Sequence, residues 1–202
     1  AFVSLFAFKH GVNRVCETQA VRFSPDGLFF DTGSFWQEKE REKVDLRKEL
    51  DSILRDGNDE EREILSLAVQ AIQQRRDRNS AYLSGFMGLK GEFIGEDEYQ
   101  FSIPITPFML NKAGIVHGGI TAALADSTMG SLINRRLSDQ YRGAVTAEMK
   151  VNYLSPGTGE RIISRAKLLK MGSHLATATC EIRNEKNQLI THASGTFFMI
   201  RK

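Results

Sequence analysis

The period of the apolar positions changes along this chain, and the changes mark its elements. Between Gly119 and Leu137 apolar residues recur at Ile120, Ala123, Leu124, Leu132, Ile133 and Leu137, with no proline among them. That is the three- and four-residue spacing of one broad helical face. Arg135 and Arg136 fall in the last turn, where positive charge suits the helix dipole. Downstream the period shortens, and residues 144–154, 161–170, 174–183 and 188–200 read as strands. In the first of these, Val145, Ala147, Met149, Val151 and Tyr153 alternate onto one face. Upstream, GFMGLKGEFIGEDEYQFSIPITP reads as a hairpin turning at GED, with Pro104 and Pro107 ending its second strand. Strands, one helix and four more strands predict an α+β domain over 81–202, a mostly antiparallel sheet curled about one central helix.

The first part of the chain has a different texture. Residues 37–80 read as a helical pair, the first helix over about 38–55 and the second over EEREILSLAVQAIQQRR. DGND breaks them, and Asp59 is the expected cap of the second. This amphipathic pair is expected to pack on the domain or on a second copy of it. In residues 1–36 the SPDG at 24–27 is a turn signal between two short strands. The density of phenylalanine there suggests no function.

The central helix carries the chemistry. Its interior is rich in small residues, Gly118, Gly119, Ala122, Ala123, Ala125, Ser127, Gly130 and Ser131. Glycine at 130 costs about 1 kcal/mol of helix stability relative to alanine, so close packing is the expected compensation. At the front, Gly118 and Gly119 would let a ligand reach the first amides, which have no internal partner and carry partial positive charge. A carbonyl oxygen placed there would be polarised as in an oxyanion hole. Asp126 is a carboxylate in a small, apolar helix, and the positions at helical spacing from it, Ala122, Ala123, Met129 and Gly130, offer no cation. Gly118 and Asp126 lie about 12 Å apart along the axis at about 1.5 Å per residue. A reacting carbon must sit within about 3 Å of both oxyanion donor and base. If both act, Asp126 of one subunit faces the Gly118 amide of another, which predicts a dimer with sites across its interface.

Asn111, then His117-Gly118-Gly119, then Asp126 form a pattern that resembles the hotdog-fold acyl-CoA thioesterases of the phenylacetate-degradation type. The resemblance covers roughly residues 81–202 and implies a hotdog fold with an N-terminal helical extension. It implies thioester hydrolysis in which the amide at Gly118 meets the thioester carbonyl and Asp126 comes from the partner subunit as nucleophile or base. Asn111 would place the substrate or the attacking water, and Thr146 would stand near the site at the start of the next strand. His117 and Gly119 would border the substrate, the histidine chiefly holding the loop. The acyl chain or ring is expected near Leu124, Met129 and Ile133. No metal or redox cofactor is implied; acyl-CoA is the implied partner, within a homodimer that pairs further into a homotetramer.

Composition narrows the alternatives. Lys and Arg number 27 against 25 Asp and Glu, a near balance that gives no push toward nucleic acid. Over 37–78 twelve acidic residues outnumber ten basic ones, opposite to what a DNA-reading segment needs. That weighs against the competing expectation, an acyl-CoA sensor fused to an N-terminal DNA-binding segment. The mean hydropathy is −0.29 and no run is long and apolar enough for a membrane helix. AFVSLFAF lacks the basic region and cleavage site of a secretory signal. Cys16 and Cys180 make neither a metal spacing nor a disulfide framework, and a cytoplasmic setting is expected. Cys180 reads as a buried strand residue. GTGERI at 157–162 opens a strand and lacks the third glycine of a dinucleotide fingerprint. His10, His174 and His192 are scattered, without metal-ligand spacing.

Overall fold

The computed structural model describes residues 21–24, 27–30 and 44–202. The chain forms two compact units, Ala1–Leu46 and Arg47–Lys202. In the first, β1 (Val21–Ser24) and β2 (Gly27–Phe30) pair antiparallel on either side of the expected turn. The rest of residues 1–36 lies outside the described residues.

The second unit opens with α1 (Leu46–Asp56) and α2 (Asp59–Arg78). The cap of α2 is Asn58, one residue earlier than expected. Its side chain accepts from the Glu61 N–H while Glu61 reaches back to the Asn58 N–H, both at 2.8 Å. This reciprocal box satisfies two amides at once, which Asp59 could not do from inside the first turn. A short helix that the sequence pattern did not reveal, α3 (Tyr82–Phe86), folds back on α2. Gly85 makes the return possible, because a Cβ there would collide with the backbone of Ala71. Gln70 Nε2 donates to the Gly85 carbonyl at 2.7 Å.

The remaining elements are β3 (Gly91–Gly95), β4 (Glu98–Pro104), α4 (Gly118–Arg136), β5 (Tyr141–Tyr153), β6 (Arg161–Met171), β7 (Leu175–Asn184) and β8 (Leu189–Arg201). The strands form one antiparallel sheet in the order β3-β4-β6-β7-β8-β5. Helix α4 packs against β4, β6, β7, β8 and β5. Five flat strands would span about 19 Å at about 4.8 Å each, while a helix is only about 10–12 Å across. The sheet must therefore curl around α4, and this is the hotdog arrangement.

The buried stripe of α4 is Thr121, Leu124, Ala125, Thr128, Met129, Leu132 and Ile133, a clean i, i+3, i+4 repeat. Two of its members are threonines, so apolar spacing alone drew the face one residue off. Thr128 belongs in the core because Oγ1 donates to the Leu124 carbonyl and bonds Ser164 Oγ, both at 2.6 Å. Ser164 in turn bonds Cys180 Sγ at 3.2 Å. The chain ties helix to sheet, and burial pushes the Cys180 thiol up to about 12. Leu124, Met129 and Ile133 are wholly buried, so they build the core and are not free to line an acyl channel.

Strand β5 departs from strict alternation. Thr146 pairs with Phe197 and Glu148 with Thr196, leaving Ala147 as a bulge. The extra residue swaps the faces. Ala144 packs toward the core before it, Met149 and Val151 after it, while Val145 and Tyr153 stay exposed.

Candidate active site

Two places on α4 can do chemistry. At its front, the loop from Leu110 to Val116 closes with a bridge between those residues. Asn111 shapes the loop, its Oδ1 accepting from Ala113 N–H at 2.9 Å and Ile115 N–H at 3.3 Å. Gly114 takes φ +70° there, a left-handed conformation that favours glycine. Only the Asn111 amide nitrogen remains to meet a ligand.

His117 then caps the helix, with Nδ1 accepting the Gly119 N–H at 2.9 Å. Nδ1 must therefore carry the lone pair. The amides of Ile120 and Thr121 reach the His117 carbonyl at 2.9 and 3.2 Å. Of the four amides at the front of α4, three are satisfied, and Gly118 N–H is the one without an acceptor among the described residues. The Tyr153 ring stands beside it, and a Cβ at Gly118 would lie 3.2 Å from Tyr153 Cε1. An unpartnered amide at the positive end of a helix is a donor for a carbonyl oxygen or an anion.

The second place is two turns along. Asp126 is half-buried, and its Oδ1 accepts from Thr146 Oγ1 at 2.6 Å, a short charge-assisted bond. The bulge after Thr146 puts this hydroxyl on the helix side of β5. Both residues line a cavity of about 770 Å³. Helix α4 supplies one wall through Ser127, Gly130, Ser131 and Arg135, and Tyr99 and Phe101 of β4 supply another. Gly130 serves this cavity more than close packing. A Cβ there would sit 3.4 Å from Phe197 in ordinary contact, so alanine would fit at the cost of open space.

The fold brings Asp126 and Thr146 together, and His117 and Gly119 together, but keeps the two pairs apart on one helix. Sequence reasoning did not find the residues that α2 and α3 add to the cavity, Gln74, Arg78, Ser80 and Ser84. No periodicity marks them, since they belong to a helix end and the turn beyond it. Among the described residues no group of three or more His, Cys, Asp and Glu is placed to hold a metal ion, and no helix is long and apolar enough to cross a membrane.

The sequence profile of the thioesterase superfamily matches residues 113–191, which include His117, Gly118, Gly119, Asp126 and Thr146. The medium/long-chain acyl-CoA thioesterase YigI of Escherichia coli K12 is 28% identical over 127 residues, covering 56% of this chain and 82% of that protein. The crystal structure of the BH2602 protein from Bacillus halodurans with CoA shares 29% identity at a TM-score of 0.67, covering 74% of this chain and 99% of that one. The PaaI protein of the E. coli phenylacetic acid degradation operon is similar in fold, with 21% identity and a TM-score of 0.55 over 66% of this chain and 96% of that one. Residues 113–191 of the chain thus carry the match to the thioesterase superfamily.

Proposed function

We propose that this protein hydrolyses an acyl-CoA thioester to a free carboxylic acid and CoA. The Gly118 N–H donates to the thioester carbonyl oxygen at the positive end of α4 and stabilises the charge that develops on it. Asp126 takes a proton from water, whose oxygen bonds to the carbonyl carbon; the carbon–sulfur bond then breaks, and Asp126 returns the proton to the departing sulfur so that CoA leaves as the thiol. Direct attack by Asp126, followed by hydrolysis of the resulting anhydride, uses the same geometry. Thr146 holds the carboxylate in place, and the Asn111 amide nitrogen is free to orient the water or substrate.

The observation that carries this reading is the single open amide at the front of a helix whose middle bears a hydroxyl-braced carboxylate in a cavity. One helix cannot aim both at one carbon, because they lie about 12 Å apart. The sites therefore form between two copies, Asp126 of each facing the Gly118 amide of the other. The exposed edge strand β5, with Val145 and Tyr153 bare, is the surface that a second copy would cover. The CoA in the B. halodurans crystal structure supports the same ligand class here.

The experiment is CoA-thiol release from a panel of acyl-CoAs, with wild type and Asp126→Asn in parallel at the concentration where sedimentation gives a dimer. Turnover lost in the variant, with its dimer intact, is expected. A fully active variant would overturn the mechanism. Tight acyl-CoA binding by both proteins without turnover would make the chain a sensor.

A further inference from the structure

The cavity beside Asp126 combines an apolar side, with Leu89, Tyr99, Phe101 and Phe197, and a cluster of donors. Ligand pockets are mostly apolar with a few placed polar groups. Here two guanidinium groups, Arg78 at the end of α2 and Arg135 near the end of α4, share the wall with the hydroxyls of Ser80, Ser84, Ser127 and Ser131. Ser80 Oγ is buried without a hydrogen-bond partner. Neither guanidinium has a carboxylate within ion-pair distance among the described residues. Arg135 instead lies over the Tyr99 ring at 5.4 Å, held by cation–π attraction at the cavity wall. Asp126, at the opposite end, is the sole acidic residue in the lining.

The direction of the cavity follows from the helix. From Asp126 to Arg135 α4 advances about 13 Å, and helical side chains lean toward the N-terminus, so Arg135 leans back toward the carboxylate. With a thioester at Asp126 and its acyl group running along this cavity, the acyl end would lie toward the two cations. A plain alkyl tail there could pack on Leu89, Phe101 and Phe197 but would leave the guanidinium groups and hydroxyls of the same lining without a partner. An acyl group with an anionic end would satisfy them. Arg78 and Ser80 lie outside residues 113–191, the stretch that matches the thioesterase superfamily.

We infer that the cavity takes an acyl group ending in a second carboxylate, which Arg78 and Arg135 hold while the thioester lies at Asp126. The inference deepens, and rests on, the hydrolase reading above. The substrate class is a dicarboxylic acid joined to CoA at one end, and the product is the free dicarboxylic acid. The phosphates of CoA are the other anions that these arginines could meet, and the experiment separates the two sources.

Adipoyl-CoA and hexanoyl-CoA share chain length and nucleotide and differ only at the acyl terminus. The test measures kcat/KM for both, and Kd for their non-hydrolysable thioether analogues and for CoA itself, with wild type, Arg78→Gln and Arg78→Lys. Wild type is expected to favour the adipoyl compound by about tenfold or more, the scale of a charge-assisted contact. The preference should fall toward parity in Arg78→Gln and return in part in Arg78→Lys. Arg78 is exposed, so the variants should fold, which circular dichroism checks. No adipoyl preference in wild type overturns the proposal. So does a variant that weakens adipoyl, hexanoyl and CoA alike, since that pattern assigns the arginine to the nucleotide. If no compound releases thiol, the hydrolase reading fails, and the analogue Kd ratios still decide whether the cavity selects a carboxylate.

Discussion

The front of α4 and its middle ask different things of the sequence. The front works with backbone alone: one amide left over after His117 has taken up its neighbours. Its residues are chosen for what they lack, a Cβ at Gly118 beside the Tyr153 ring. The middle works with side chains: a carboxylate, a hydroxyl across on β5, and a bulge that aims the hydroxyl. A backbone donor is insensitive to most substitutions but intolerant of bulk. A side-chain base tolerates bulk nearby but nothing less than its own functional group.

Substitutions can break or sharpen that contrast. The largest effect is expected at the middle, where Asp126→Ala should lower kcat by at least about a hundredfold, the scale of a positioned base, with the melting temperature little changed. Next comes the front, where Gly118→Ala keeps the N–H and adds a Cβ 3.2 Å from Tyr153 Cε1. Turnover should fall by somewhat less than the ~100-fold or more lost when an oxyanion donor is removed outright. Adding Tyr153→Ala should restore part of it; a double variant no better than the single would show that crowding is not the cause. Thr146→Val removes a hydrogen bond to a charged group, worth about 1.5–3 kcal/mol, and should cost roughly tenfold or more in kcat, with Thr146→Ser largely recovering it. His117→Ala should cost about 1 kcal/mol of stability through the lost cap, read as a lower melting temperature that His117→Asn restores.

The smallest effect is invisible at neutral pH. Cys180 is held neutral in the fold, its pKa raised from 9.0 to about 12. The unfolded thiol ionises first as pH rises, so this contribution to stability is complete below about pH 9 and is lost as pH climbs through about 12. Melting at pH 8 and at about pH 10.5 should show a steeper loss for wild type than for Cys180→Ala.

Much of the domain was legible in the sequence, because its elements follow simple periods. Four strands after a helix and a hairpin before it stand where their spacing put them. The misses share a physical origin: each depends on what a neighbouring element does. Threonine reads as polar until Ser164 meets Thr128 across the core. Alternation through Val145 and Ala147 reads as unbroken until β8 pairs past Ala147. Gly85 reads as part of a hairpin until Ala71 is found against it. For the candidate site, residue types and spacing pointed to Gly118 and Asp126, whereas the polar wall from α2 and α3 required the fold, since nothing local ties Arg78 to a helix almost fifty residues on.

The Thr128–Ser164–Cys180 chain gives the molecule a clock. A labelling reagent can reach Cys180 only when the sheet lifts from α4, because the thiol is buried and its hydrogen bonds run through Ser164 to Thr128 on that helix. With Cys16→Ser removing the second thiol, each modified chain records one such opening. The same shielding keeps Cys180 silent toward the reagents that detect released CoA, so turnover and breathing can be timed in one cuvette on separate scales.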